Sequence, residues 1–174
     1  GRIVEQDVVK ISRSINDGTF FKNASFIEAI RQVKKNKSRL HLMGLISNGM
    51  SAHSDPDHLY ALLSLARVHG VKEIYLHLFT DGRDSPKYAA LKLIEDIESI
   101  LKSNEAIASV IGRFYAMDRK KAWLRTEQAY NAIVSGIGRK AVSATTAITE
   151  SYNCGESDEF IKPYIILKNN KPLP

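Results

Sequence analysis

The chain has 174 residues, 44% hydrophobic and 25% charged, which suits one compact domain with a full core. Its net charge of +6 and pI near 9.4 suggest an anionic partner, a description that fits nucleic acid and a phosphorylated metabolite equally. The only cysteine, Cys154, excludes an internal disulfide or a cysteine zinc cluster, and no run approaches the roughly 18–20 apolar residues of a membrane span. A reducing compartment follows, with no membrane partner. The first residues lack the apolar core of a signal peptide, and a start at Gly rather than Met points to an excised or truncated chain.

Val4, Val8, Ile11 and Ile15 recur at helical spacing, and Asn16-Asp17-Gly18 ends that helix. Ser25 to Glu28 has capping-box spacing ahead of a second helix with Phe26, Ile27, Ile30 and Val33 on its apolar face. The basic run Lys34–Arg39 reads as a solvated helix end favoured by the dipole, with nucleic-acid binding as the alternative. These helices fill residues 1–36, and the sheet with its covering helices is expected over 37–174, all within a single domain.

Leu40–Ile46 is the first expected strand, followed by a polar loop to Asp57. Asp55 caps and Pro56 starts a helix to about His69, which Gly70 closes. Ile74–Phe79, apolar and rich in branched and aromatic residues, reads as a strand covered on both faces. It stops at Asp81-Gly82, and Ser85-Pro86 is expected to start a helix reaching about Leu101. Ala106–Ile111 is a third strand, ending in the loop Gly112–Lys121. Helices are expected at about 122–134 and 141–153, and a fourth strand at Tyr164–Leu167. This order implies an α/β fold, a three-layer αβα domain with a largely parallel sheet. Ligands of such sheets bind at the C-terminal ends of the strands.

Three parallel strands would deliver three loops to one rim, carrying His53, then Arg83 with Asp84, then Arg113 and Arg119. The arginines offer forked donors for an anion, and Asp84 an acceptor for a hydroxyl. Plainer readings exist for each. His53 and His58 with Asp55 and Asp57 could form a metal loop or only cap and brace it. Arg83 and Asp84 could pair with each other. Trp123 reads as core rather than as a stacking platform, and His41 and His77 as ordinary sheet residues. No P-loop, dinucleotide fingerprint, zinc-protease or serine-hydrolase motif is present.

The runs GLISNGMSAHSDPDHLYALL, FTDGRDSP and GRFYAMDRKKAWLR, with Gly1-Arg2-Ile3-Val4 and the segment Asp158-Glu159-Phe160, resemble the cofactor-independent phosphoglycerate mutases in order and spacing. The resemblance implies a two-domain cytoplasmic enzyme that interconverts 3-phosphoglycerate and 2-phosphoglycerate in glycolysis. A phosphatase-like domain carries a serine nucleophile and two divalent metals, manganese in the usual case. A phosphotransferase domain holds the glycerate while the phosphoryl group sits on that serine. This chain is similar to an incomplete phosphotransferase domain, with no metal ligands of its own. The implied substrate contacts are His53, Arg83, Asp84, Arg113 and Arg119, with Asp84 catalytic, and the implied partners are the substrate and the missing domain of a monomer. The first loop departs from the family's Ser-Asp-Gly-Gly-Val-His, reading Ser47-Asn48-Gly49-Met50-Ser51-Ala52-His53. Lys120, Ala122 and Leu124 replace an acid, an arginine and an acid. A non-catalytic basic module that binds nucleic acid or another macromolecule is the alternative reading.

Overall fold

The three apolar runs pair side by side as parallel strands, β1 (Leu40–Ile46), β2 (Ile74–Thr80) and β3 (Glu105–Gly112). Leu40 is in register with Ile74, and Ile74 with Glu105, so all three end at one rim. The structure is a computed structural model that describes residues 4–49 and 51–173. Gly1-Arg2-Ile3 of the family resemblance, Met50 of the first loop and Pro174 lie outside the described residues. β5 (Tyr164–Lys168) runs antiparallel to β3 and carries β4 (Arg139–Ala141) parallel on its far side. A two-residue β6 (Lys171–Pro172) folds back on β5. The order β1-β2-β3-β5-β4 makes a mixed, mostly parallel sheet in an α/β fold.

Helices cover both faces. On one face α3 (Pro56–Val68), α4 (Ala90–Ile100) and α7 (Ala144–Asn153) bury Leu63, Ala66, Ile94, Ile97, Ala147 and Ile148 against Leu76, Leu78 and Val110. Ile30 of α2 (Ala24–Lys35) joins this core, while α1 (Asp7–Asn16) packs on α3. On the other face Ala129 and Ala132 of α6 (Trp123–Ser135) meet Ile111 and Ile165. A single turn of helix, α5 (Arg113–Ala116), leads out of β3.

Local capping signals worked once and failed twice. Asp55 caps α3 with Pro56 at its start, its side chain accepting from the Asp57 N–H at 2.9 Å. For α2 the cap is Asn23 instead of Ser25: its Oδ1 takes the N–H groups of Ser25 and Phe26. The helix after β2 does not begin at Pro86. Ser85 is buried, its hydroxyl meets no partner among the described residues, and α4 starts at Ala90. There the carboxylate of Asp158 takes the N–H groups of Ala89 and Ala90, both at 2.9 Å, a cap supplied from the far end of the chain. The expected helix over 141–153 divides into β4 and α7, with Ser143 capping α7. Trp123 is not core: at the first position of α6 its side chain faces solvent.

His41 and His77 are more than ordinary strand residues. Their rings stack with centroids 5.2 Å apart, Nδ1 of His41 lies 2.9 Å from Nε2 of His77, and His77 Nδ1 lies 2.8 Å from the Ser109 hydroxyl. Burial, with His41 as a neighbour, pushes the His77 pKa down to about 4. The unfolded value is about 6.5, so the unfolded chain takes the proton first and stability falls as pH drops from there toward 4. Between pH 7 and pH 5 this loss should be about 2 kcal/mol. Urea unfolding of His77→Asn should show a stability curve flatter by that amount, and parallel curves would remove His77 as the cause.

Candidate functional site

The loop after β1 is folded by its serines. Ser47 Oγ donates to the Ser54 carbonyl at 2.9 Å, Ser54 Oγ to the Leu45 carbonyl at 2.6 Å, and buried Ser51 accepts from the His53 N–H at 3.1 Å. Gly49, at φ +82°, makes the turn that brings His53 to the rim. His58, one turn into α3, is held 3.1 Å from the Ser12 hydroxyl and is structural.

The loop after β2 turns on Asp81, whose Oδ1 accepts the N–H groups of Arg83 and Asp84, both at 3.2 Å. Gly82 is required here on two counts: its φ is +63°, and a Cβ would lie 2.6 Å from the Glu159 nitrogen. Arg83 and Asp84 therefore point out of a backbone welded to the chain before β5. That chain reaches this rim because β5 runs against β3, which starts β5 where β1–β3 end. At the end of β3, a Cβ on Gly112 would lie 2.5 Å from the Glu159 carbonyl oxygen.

Arg113, the first residue after β3, crosses to the loop of β2. Its Nη1 donates to Asp81 Oδ1 at 2.5 Å and to Asp84 Oδ2 at 2.7 Å, so Asp84 pairs with Arg113 and not with its neighbour Arg83. The hydrogen bond from Arg113 holds the Asp84 carboxyl below the usual carboxylate range, with His53 and Arg83 adding to it. Asp84 is ionised at neutral pH. Arg119 sits on a loop organised by Asp118, whose Oδ2 takes the N–H groups of Lys120 and Ala122 at 3.1 and 2.8 Å. Arg125 donates to the same carboxylate at 3.3 Å and lies 3.8 Å over the Phe114 ring. These contacts shape the backbone on either side of Arg119, whose own side chain is exposed.

His53, Arg83, Asp84, Arg113 and Arg119 all line one open cleft of about 470 Å³, together with Lys120, Arg125, Glu159 and Phe160. Five cationic side chains face three carboxylates there, a field suited to a small anion. Sequence reasoning reached the five through topology. It did not single out Arg125 and missed Asp81 and Asp118, whose only local signal is an acid at a turn. A second hollow of about 280 Å³ lies beside β1 and α3 and is lined mostly by apolar residues such as Leu42, Leu59 and Leu62. Among the described residues no three His, Cys, Asp or Glu side chains are grouped to hold a metal ion.

Residues 11–173 match the family model of the BPG-independent PGAM N-terminus. The chain belongs to that family. It is 49% identical to a 2,3-bisphosphoglycerate-independent phosphoglycerate mutase of Clostridium kluyveri, over 99% of this chain and 34% of that protein. It is 50% identical to the corresponding mutase 1 of Methanosarcina barkeri, over 95% of this chain and 32% of that protein. The crystal structure of Leishmania mexicana phosphoglycerate mutase at low cobalt concentration superposes with a TM-score of 0.91 at 30% identity, covering 99% of this chain and 33% of that one. The chain thus spans about a third of the length of the relatives it matches.

Proposed function

We propose that this chain is an incomplete phosphotransferase domain, the substrate-holding part of a two-domain phosphoglycerate mutase. In this reading the full-length protein interconverts 3-phosphoglycerate and 2-phosphoglycerate, in glycolysis and gluconeogenesis in the cytoplasm, as a monomer. The observation that carries the reading is the convergence of His53, Arg83, Asp84, Arg113 and Arg119 on one cleft. The arginines and His53 hold the carboxylate and phosphate by charge-assisted hydrogen bonds. Asp84 accepts the proton of the glycerate hydroxyl that attacks the phosphoryl group. The phosphoryl group waits on a serine of the phosphatase-like domain, where two divalent metals, manganese by expectation, would offset its charge. Among the described residues no group fits a metal site, and no step assigned to this chain runs through one. The relatives, all named as mutases, lend no support to a nucleic-acid-binding module. Five cationic side chains of this chain meet in one cleft, where such a module would spread them over a face.

The full-length protein, assayed with manganese and 3-phosphoglycerate in a coupled assay, should form 2-phosphoglycerate; no turnover would reject the reading. The 174-residue chain alone should give only background, since nucleophile and metals lie elsewhere. Turnover above a contaminant control would show that catalysis does not depend on the other domain.

A further inference from the structure

Arg113 is shared by two carboxylates that differ in kind. Asp84 is partly exposed and lines the cleft, whereas the Asp81 side chain is 1% exposed and lies beneath it. Asp81 gathers three donors on one oxygen: the N–H groups of Arg83 and Asp84, and Nη1 of Arg113. Its other oxygen, Oδ2, is buried and has no partner among the described residues. A carboxylate so enclosed depends on its counter-charge, and here that counter-charge is Arg113.

We infer that Asp81 is a positioning residue of this site: it fixes Arg113 at the junction of two strand-end loops, so that the guanidinium stays aimed into the cleft when an anionic ligand draws it from Asp84. Asp84 and an incoming anion compete for the same cation. Asp81 is too deeply placed to join that competition, so it holds Arg113 whichever of the two is bound. The same oxygen keeps Arg83 and Asp84 in register with Arg113, which makes one buried atom the hub for three groups of the cleft. The inference rests on the mutase reading only for the nature of the anion.

The test is a double-mutant cycle in the full-length protein, combining Asp81→Asn with Arg113→Ala. An Asn side chain still accepts the two backbone N–H groups but lacks the charge. Asp81→Asn should stay folded by circular dichroism and lose about 10- to 100-fold in kcat/KM, mostly through a higher KM. In the Arg113→Ala background the same change should matter less than about threefold, because its target is gone. A wild-type KM, or an equal loss in both backgrounds, would overturn the inference. If Asp81→Asn does not fold, Asp81→Ser offers a hydroxyl acceptor for the turn, and failure of both would make Asp81 a purely structural residue. Should the wild-type protein show no turnover, the mutase reading fails and the thermal shift caused by inorganic phosphate decides instead. The wild type should then be stabilised by phosphate and Asp81→Asn should need about tenfold more of it; equal shifts, or none in either protein, would overturn the inference.

Discussion

Asp84→Asn in the full-length protein should fold normally and lose about 10²-fold or more in turnover, the scale of a positioned acid or base. The Asp84 carboxylate stands at the cleft, ionised, 2.7 Å from Arg113 Nη1. Asparagine keeps the shape and an acceptor oxygen but cannot take a proton from a glycerate hydroxyl. Stability should hardly change, because the side chain is 36% exposed and Arg113 keeps its buried partner Asp81. The depressed Asp84 pKa also sets a sign: its ion pair contributes above the unfolded carboxylate range, about pH 3.9, and is lost only as pH falls through the lower folded value. Steady-state kinetics beside thermal unfolding separates the two effects. Near-normal turnover would reduce Asp84 to a member of an ion pair.

The parts of the fold legible in the sequence are those whose signals are local. β1, β2 and β3 are apolar runs closed by turns, and α3 has its cap and proline in adjacent positions. Once three parallel strands are in place, the meeting of His53, Arg83, Asp84, Arg113 and Arg119 follows from topology alone. What stayed hidden depends on distant chain. Ser85-Pro86 has every mark of a helix start, yet α4 begins at Ala90 because Asp158 caps it across 68 residues. β4 has only three residues, two of them basic, and exists because β5 offers an edge. Trp123 sits at a helical spacing that suggests burial, but Arg125 covers the Phe114 ring instead. Buried Asp81 and Asp118 act on backbone N–H groups and arginines, and a single acidic letter in a turn does not announce that.

Asp158→Ala should be among the most damaging single changes, lowering stability by about 3–5 kcal/mol and the melting temperature by about 10 °C or more. The side chain is almost wholly buried and takes three donors: the N–H groups of Ala89 and Ala90 and, at 2.5 Å, the Tyr152 hydroxyl. Alanine removes the cap of α4, a loss of about 1–2 kcal/mol by itself. It also strands the Tyr152 hydroxyl, at about 1–3 kcal/mol. Charge is the smaller part of this, since burial raises the Asp158 pKa above the usual carboxylate range. Asp158→Asn should therefore cost much less, about 1 kcal/mol, because its oxygen can accept the helix N–H groups while its amide donates to Tyr152. The damage should reach the cleft, because Gly82, just before Arg83, packs on the backbone of Asp158 and Glu159 and Thr80 Oγ1 donates to the Asp158 carbonyl at 2.7 Å. Denaturant unfolding of the three proteins checks the order wild type, Asn, Ala. Equal losses for Asn and Ala would mean that the charge of Asp158, and not its hydrogen-bond geometry, holds α4 to the site.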